Sequence, residues 1–290
     1  MQARDKLFSF RGKPKRLEVV VEGRESWVEW VAFSRTDLDG EEVHNTGRVI
    51  AEIKPDIQCV VEVENRVALN RFNRQVLSEF KDAVFDHNMS IVGRDPRGID
   101  VGLLTRYPIV SIRSHIDEGG DKPIFSRDCP EYEMVLPSGD SLWLLGNHLK
   151  SQGFGSKKDN DAKRMRQADA VARIYREARK RSDYVIVAGD MNGTPDSEPM
   201  KPLTSGTDLK EVMSHPAYQG PPGTYATCKS PNQKFDYIML SPALWKRIKA
   251  VGIEQRGIFH AKKPDESFDT VTSRTTSASD HAAVWVDLDM

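Results

Sequence analysis

Five apolar runs in the chain are each bounded at one end by a residue able to hold a cation or move a proton. Glu62 ends the run 57–61, His148 follows 144–147, and Asp190 and Asn192 follow 185–188. Asp236 opens the run 237–240, and Asp280 and His281 open 282–286. Taken alone, Gly189-Asp190-Met191-Asn192-Gly193-Thr194-Pro195 reads as a turn, because Asp, Asn, Gly and Pro are the residues turns select. Polar strand ends are ordinary. Five separate strands, each delivering a metal- or proton-competent group, are what a composite site at one rim of a fold requires.

The chemistry open to such a set is narrow. Carboxylate and amide oxygens without clustered thiols suit Mg2+, Mn2+ or Ca2+ rather than zinc. Two histidines beside carboxylates can donate protons or clamp a phosphate, each oriented by its acid. A hard cation, a water-activating carboxylate and imidazolium donors together suit hydrolysis at phosphorus, where charge builds on the phosphoryl oxygens and the leaving oxygen needs a proton. The remaining histidines (His44, His87, His115, His215 and His260) lack this context and read as surface or capping residues. Asp100 and Arg97 are intermediate: Arg97 sits in a glycine-containing loop that could bind phosphate or simply face solvent.

The elements that must position these groups follow from periodicity and turn residues. Strands are expected at 17–21, 27–33, 56–63, 90–93, 101–105, 109–114, 131–136, 141–147, 184–188, 235–240, 250–253 and 282–288. Helices are expected at 45–53, at 68–86 on the spacing of Leu69, Phe72, Val76, Leu77 and Phe80, and at 161–181. Met165, Ala168, Val171, Tyr175 and Ala178 mark the buried face of the last. The segments 204–229 and 256–279 are turn-rich loops. Clustered strands with few intervening helices argue for mixed sheets covered by helices, an α+β arrangement. No repeat, low-complexity tract or linker breaks the chain, so one domain is expected over 1–290.

At 290 residues, 38% hydrophobic and 29% charged, the chain has the composition of a soluble globular protein able to bury a large core. A formal net charge of −1 gives no global pull towards nucleic acid or membrane, so any basic patch is local. One exists: from Lys150 to Arg181 eleven Lys/Arg face four Asp/Glu. Lys150, Lys157, Lys158, Lys163, Arg164 and Arg166 cluster just after His148, a surface suited to a phosphate backbone. Of these, Lys150, Lys157 and Lys158 are read as substrate contacts. No apolar run approaches a membrane span, and the first residues lack the apolar core of a signal peptide. A soluble location is expected, cytoplasmic or secreted after loss of a leader. Cys59, Cys129 and Cys228 form neither a zinc pattern nor a disulfide framework, and Cys59 reads as core.

Five motifs now stand in order: Val61-Glu62-Val63-Glu64, Asn147-His148-Leu149-Lys150-Ser151, Gly189-Asp190-Met191-Asn192, Phe235-Asp236-Tyr237-Ile238 and Ser279-Asp280-His281. Between the first two lies Arg97-Gly98-Ile99-Asp100-Val101-Gly102-Leu103-Leu104. Over roughly 45–290 this series resembles the endonuclease/exonuclease/phosphatase superfamily, whose members include deoxyribonuclease I-like nucleases, abasic-site endonucleases, inositol-phosphate phosphatases and sphingomyelinases. The Asn-His-Leu-Lys-Ser form looks most like stand-alone bacterial nucleases of that superfamily. The resemblance implies a four-layer α/β sandwich of two packed mixed sheets flanked by helices, with the site at one rim.

It also implies roles. Glu62 would be the principal metal ligand, favoured over Glu64 because it directly follows the apolar run, and Asp280 a further ligand or supporting acid. The cofactor would be Mg2+, with Mn2+ or Ca2+ as alternatives. Asp190 would activate the attacking water and Asn192 position it. His281, oriented by Asp236, would contact the phosphate as a cation, and His148 would be a second phosphate donor or the general acid. Arg97, Lys150, Lys157 and Lys158 would bind substrate, most simply DNA; no protein partner is implied. Two departures stand out. The superfamily's Asn at the end of its first strand has no counterpart before Asn45, and its Gln before the metal-binding Glu is replaced by Val61. The readings that follow are a metal-dependent nuclease, a phosphatase or small-molecule or lipid phosphodiesterase, or a catalytically impaired binding protein on the same scaffold.

Overall fold

The computed structural model of the chain describes residues 40–290 apart from Phe154, together with four short strands in the first 39 residues. Those strands are β1 (Gln2–Ala3), β2 (Phe8–Arg11), β3 (Arg16–Val19) and β4 (Val31–Ala32), paired β1 with β4 and β2 with β3, both antiparallel. The strand expected at 17–21 falls partly on β3. Of the one expected at 27–33, only Val31–Ala32 is described, and its remaining residues lie outside the described set. Met1–Gly40 and Glu41–Met290 are separate compact units, and everything below concerns the second.

Its largest sheet runs in the order β12 (Lys210–Glu211), β13 (Asp236–Leu240), β11 (Tyr184–Asp190), β10 (Ser141–His148), β9 (Glu131–Val135), β8 (Ile109–Arg113). Only β10 and β11 are parallel, so the sheet is mixed. A three-stranded antiparallel sheet is ordered β5 (Ile57–Val63), β7 (Asp100–Thr105), β6 (His87–Ser90). A further antiparallel pair joins β14 (Ile248–Glu254) to β15 (Ala283–Leu288).

Side-chain alternation builds the layers, since successive strand residues point to opposite faces. On β10, Leu142 and Leu144 enter one core while Trp143 and Leu145 enter another; on β11, Ile186 and Ala188 alternate in the same way with Val185 and Val187. The first core also takes Leu103, Cys59, Val284 and Val286 from the smaller sheets, so it is the filling between sheets. The second packs the large sheet on the long helix α3 (Lys157–Arg179). A third places Leu104 and Val60 against α1 (Glu41–Ile53) and α2 (Arg66–Arg71). The result is helix, sheet, sheet, helix: the four-layer α/β sandwich.

Several elements depart from the sequence expectation: α1 begins at Glu41, four residues before the helix expected at 45–53, and β12 lies in a segment expected to be loop. The helix expected over 68–86 begins at Arg66, where the Asn65 side chain accepts the Ala68 N–H at 2.9 Å, and its helical turns end at Glu79. Beyond it Asp82 takes a left-handed φ of 60°, and Asn73 clasps both N–H and C=O of Phe85, each at 2.9 Å. The strand expected at 90–93 is paired instead over His87–Ser90. α3 starts four residues before the expected position because Ser156 caps it, accepting the Asp159 N–H at 3.1 Å. Met165, expected inside, is exposed, and the polar Arg164 and Gln167 are buried in its stead.

Candidate active site

The pairing register sets three of the chemical groups in line. His148 on β10 lies opposite Asp190 on β11, and Asp190 lies opposite Asp236 on β13. Opposed residues on neighbouring strands present their side chains on the same face. By alternation from Leu144, Ala188 and Leu240, all three face the smaller sheets, one step past the end of the core between the sheets. The row therefore lies at the end of the layer between the two sheets.

Asp190 leads into a turn held by a glycine before it and an asparagine after it. Gly189 has φ 131°, and a Cβ there would sit 1.9 Å from the Asn147 carbonyl oxygen, so no other residue lets β11 pass β10 so closely. Asn192, at a left-handed φ of 52°, returns its own N–H to Asp190 Oδ1 and its side-chain Nδ2 to Oδ2, both at 2.8 Å. Asp190 is only 6% exposed. Burial, and next the neighbouring Asp236 charge, push its pKa up to about 7. The turn reading of this stretch holds, and the turn carries a buried carboxyl poised at neutrality.

His281 comes from the segment preceding β15 and joins the row through Asp236, its Nδ1 lying 2.8 Å from Asp236 Oδ2. The Tyr225 ring lies 4.9 Å from the imidazole at a tilt of 57°. Burial works against protonation of His281, but the bond to Asp236 and the charges of Asp236, Asp190 and Asp280 outweigh it and raise its pKa to about 9. It is the cation of the row. His148 is the opposite case. It is 5% exposed, its Nδ1 is buried without a partner, and its Nε2 lies 3.6 Å from Asp190 Oδ2. Burial, followed by the charges of Arg127, Arg97 and His281, drives its pKa down to about 3. His148 is a neutral imidazole at physiological pH, which suits a hydrogen-bond donor rather than a general acid.

Arg127 escaped the sequence reading. It is buried, donating through Nε to the His148 carbonyl at 2.8 Å, through Nη2 to the Leu149 carbonyl at 2.5 Å, and through Nη1 to Asp95 Oδ2 at 2.7 Å. Asp95 also binds Arg97, at 3.2 Å through both Nε and Nη2. Despite partial burial, the two arginines hold its carboxyl far below the usual range. The Arg97 guanidinium in turn feels the charge of Glu62. No sequence motif marks Arg127 or Asp95; only the fold brings them to the rim.

Glu62 reaches that rim by a backbone irregularity. Regular alternation from Ile57 and Cys59, both facing the inter-sheet core, would send Glu62 the other way. The pairing with β7 slips between Val60 and Val63, and both of those valines pack on the α1–α2 side. The extra residue is absorbed at Glu62, with φ 61°, so the bulge turns an exposed carboxylate away from the α1–α2 side. Asp280 is 72% exposed at its side chain, with Oδ1 4.0 Å from His281 Nε2. Among the described residues no three His, Cys, Asp or Glu side chains converge closely enough for a metal ion. Glu62 and Asp280 are exposed oxygen donors, the kind of ligand that hard cations accept.

The basic patch divides. Lys157 is exposed and pairs with Asp161 at 2.6 Å, and Lys158 is exposed. Lys150 Nζ binds the Gly153 carbonyl at 2.8 Å. Lys163 and Arg164 turn inward: Lys163 reaches Ser126 Oγ at 2.7 Å, and Arg164 donates to the Lys150 carbonyl while Gln167 Oε1 accepts the Lys150 N–H at 2.8 Å. Burial lowers the Lys150 pKa first, then the nearby charges of Lys163, Arg127, Arg164 and Arg97. Two histidines set aside as surface residues are also corrected. His115 bridges Glu118 and Glu131 at 2.7 and 2.8 Å, and His260 is buried. Asn45 is buried too, its Nδ2 on the Thr276 carbonyl at 2.7 Å and its Oδ1 on Thr270, which leaves it holding α1 to a loop.

A sequence profile of the Endonuclease/Exonuclease/phosphatase family matches residues 39–281. Among solved structures, the chain is similar to a mannosyl-6-phosphatase from Bacteroides thetaiotaomicron, with TM-score 0.60 and 18% identity over 87% of this chain and 92% of that one. An endonuclease/exonuclease/phosphatase protein from Beutenbergia cavernae gives TM-score 0.59 and 16% identity over 89% and 68%. The human Nocturnin catalytic domain, bound to sulfate, gives 0.53 and 16% over 73% and 77%. No curated protein matches the chain by sequence.

Proposed function

The chain belongs to the endonuclease/exonuclease/phosphatase family, and from that premise we propose that it is a divalent-metal-dependent phosphodiesterase whose substrate is DNA. The observation that carries this reading is the row His148, Asp190, Asp236 with His281 attached, a neutral donor, a base and an acid–imidazole pair at one level of one sheet. Asp190, with a pKa near neutrality, takes the proton of a water aligned by Asn192, and the oxygen attacks phosphorus in line. His281, held through Nδ1 by Asp236, presents Nε2–H and gives its proton to the leaving oxygen. His148 donates a hydrogen bond from Nε2 to a phosphoryl oxygen without changing charge. Glu62 and Asp280 would hold Mg2+, Mn2+ or Ca2+, which when bound supplies Lewis-acid stabilisation of the phosphoryl charge. Products are a phosphomonoester and an alcohol.

DNA is favoured by the exposed lysines Lys157 and Lys158 at the start of α3 and by Lys150 and Arg97 nearer the row, a strip of positive charge suited to a strand longer than the scissile group. A phosphatase acting on a small sugar phosphate is the second reading, motivated by the structural likeness to the mannosyl-6-phosphatase. Incubation with plasmid DNA and with a small phosphomonoester, each with Mg2+, Mn2+ or EDTA, separates the two. DNA cleavage abolished by EDTA and by Asp190→Ala or His281→Ala supports the nuclease. Release of phosphate from the monoester alone supports the phosphatase. No turnover of either by the wild type, with DNA still bound, would leave a binding protein. Equal cutting by wild type and Asp190→Ala would sink the mechanism.

A further inference from the structure

Behind the Asp236–His281 pair sits Thr224, a fully buried residue in the loop before β13 and outside every motif read from the sequence. Its Oγ1 donates to Asp236 Oδ2 at 2.6 Å, the same oxygen that meets His281 Nδ1. The hydroxyl also accepts the backbone N–H groups of Phe235 and Asp236, each at 3.1 Å. A hydroxyl has two lone pairs and one proton. With both lone pairs taken, the proton has one direction left, the carboxylate. Thr224's main chain is fixed as well: its N–H goes to the Gln233 carbonyl at 3.0 Å, and its carbonyl accepts the Ala282 N–H at 2.6 Å. One residue thus ties the strand bearing Asp236 to the segment bearing His281.

We propose that Thr224 is a positioning residue, whose hydroxyl fixes the Asp236 carboxylate so that Oδ2 stays on His281 Nδ1 and the imidazole keeps Nε2 turned to the phosphate. The proposal rests on the assignment of the Asp236–His281 pair made above. Without the hydroxyl, the carboxylate is free to rotate about its χ2, a broad torsion with little barrier of its own, and His281 follows it. A group that acts only through Asp236 contributes nothing once Asp236 can no longer hold the imidazole. That is the property to test.

Two measurements decide it. In the first, Thr224→Val, Asp236→Asn and the double variant are compared for kcat and KM on the substrate found for the wild type. Thr224→Val is expected to lower kcat about tenfold or more with KM little changed, and to add almost nothing in the Asp236→Asn background. Thr224→Ser, which keeps the hydroxyl, is expected to retain wild-type kcat. Additive losses, or a loss in Thr224→Ser equal to that in Thr224→Val, would overturn the proposal. The second needs no activity: the His281 Nδ1–H proton is followed by NMR and assigned by its disappearance in His281→Gln. Its signal is expected to persist in the wild type and Thr224→Ser and to be lost to exchange in Thr224→Val; persistence in all three would also overturn the proposal. Should Thr224→Val fail to fold, Thr224→Cys supplies a weaker donor of similar size and is expected to fall between wild type and loss in both measurements. If the wild type cleaves no phosphoester, the functional reading fails while the NMR result still judges Thr224.

Discussion

In the mechanism proposed for this chain, Asp190, whose pKa lies near neutrality, is the base and His281 the acid. With Asp190 at about 7 and His281 at about 9, the active form has the first ionised and the second protonated. The rate–pH profile is therefore expected to be a bell that rises through about 7 and falls through about 9. A divalent cation near Glu62 favours the Asp190 anion, so the acid limb is expected to move to lower pH as Mg2+ is raised. An acid limb indifferent to Asp190→Ala would refute the assignment. The same shift has a stability consequence. A carboxyl whose pKa rises on folding stabilises the native state fully below its unfolded value of about 3.9, and that contribution is lost as pH rises through about 7. Asp190→Asn is then expected to be relatively more stable than wild type at pH 8 than at pH 5, on the order of 1–2 kcal/mol, measured by denaturant unfolding. At this scale the sequence was legible where chemistry sits in a short apolar frame: Glu62, His148, Asp190, Asp236 and His281 were each visible as a polar strand end. Arg127, Asp95 and Thr224 were not, because an arginine, an aspartate and a threonine in loops look alike whether buried or solvated. For His148 the sequence left open a phosphate donor or a general acid, because its burial and the surrounding arginines are tertiary facts.

Among the elements, β5 does the least regular thing. The left-handed φ at Glu62 is a conformation that glycine adopts freely and glutamate does not, at a cost on the order of 1 kcal/mol or more. Glu62→Gly is expected to abolish cleavage while leaving stability equal or raised by about 0.5–1 kcal/mol. Clear destabilisation in thermal melts would mean that the carboxylate holds the bulge rather than the reverse. Periodicity could not reveal this device, because an inserted residue inside a strand leaves the apolar run looking continuous. The helix over-extended to residue 86 failed for a related reason: apolar spacing continued past Glu79 while Asp82 and the Asn73 clasp turned the chain. A second element-level device joins the end of β8 to β9 and α3. His115 binds Glu118 and Glu131, which are themselves paired to Arg173 and Arg181. Burial opposes charge on His115, but the two glutamates raise its pKa. Its contribution is complete below about 6.5, the unfolded value, and fades as pH rises through the elevated folded value. His115→Gln is expected to destabilise by about 1–2 kcal/mol at pH 6 and by progressively less as pH rises above the unfolded value.

For the molecule as a whole, the near-zero net charge conceals a basic end. If the strip from Arg97 to Lys158 follows a DNA backbone, KM for DNA should climb steeply with salt, and Lys157→Gln with Lys158→Gln should raise it further and flatten the slope. Turnover of a small phosphodiester should barely respond to either change. Equal effects on both substrates would remove the strip from the interface. The layered architecture has another consequence. Glu62 stands on the small sheet, whereas Asp190 and His281 belong to the large sheet and its neighbouring loop. No strand measures the gap between them. The apolar filling does, through Cys59, Leu103, Leu144, Ala188 and Val284. That filling is a shim, and its thickness sets the distance across which the proposed site must act. One or two carbons added or removed within it, as in Ala188→Val or Leu144→Val, would change that spacing with every polar residue of the row left intact.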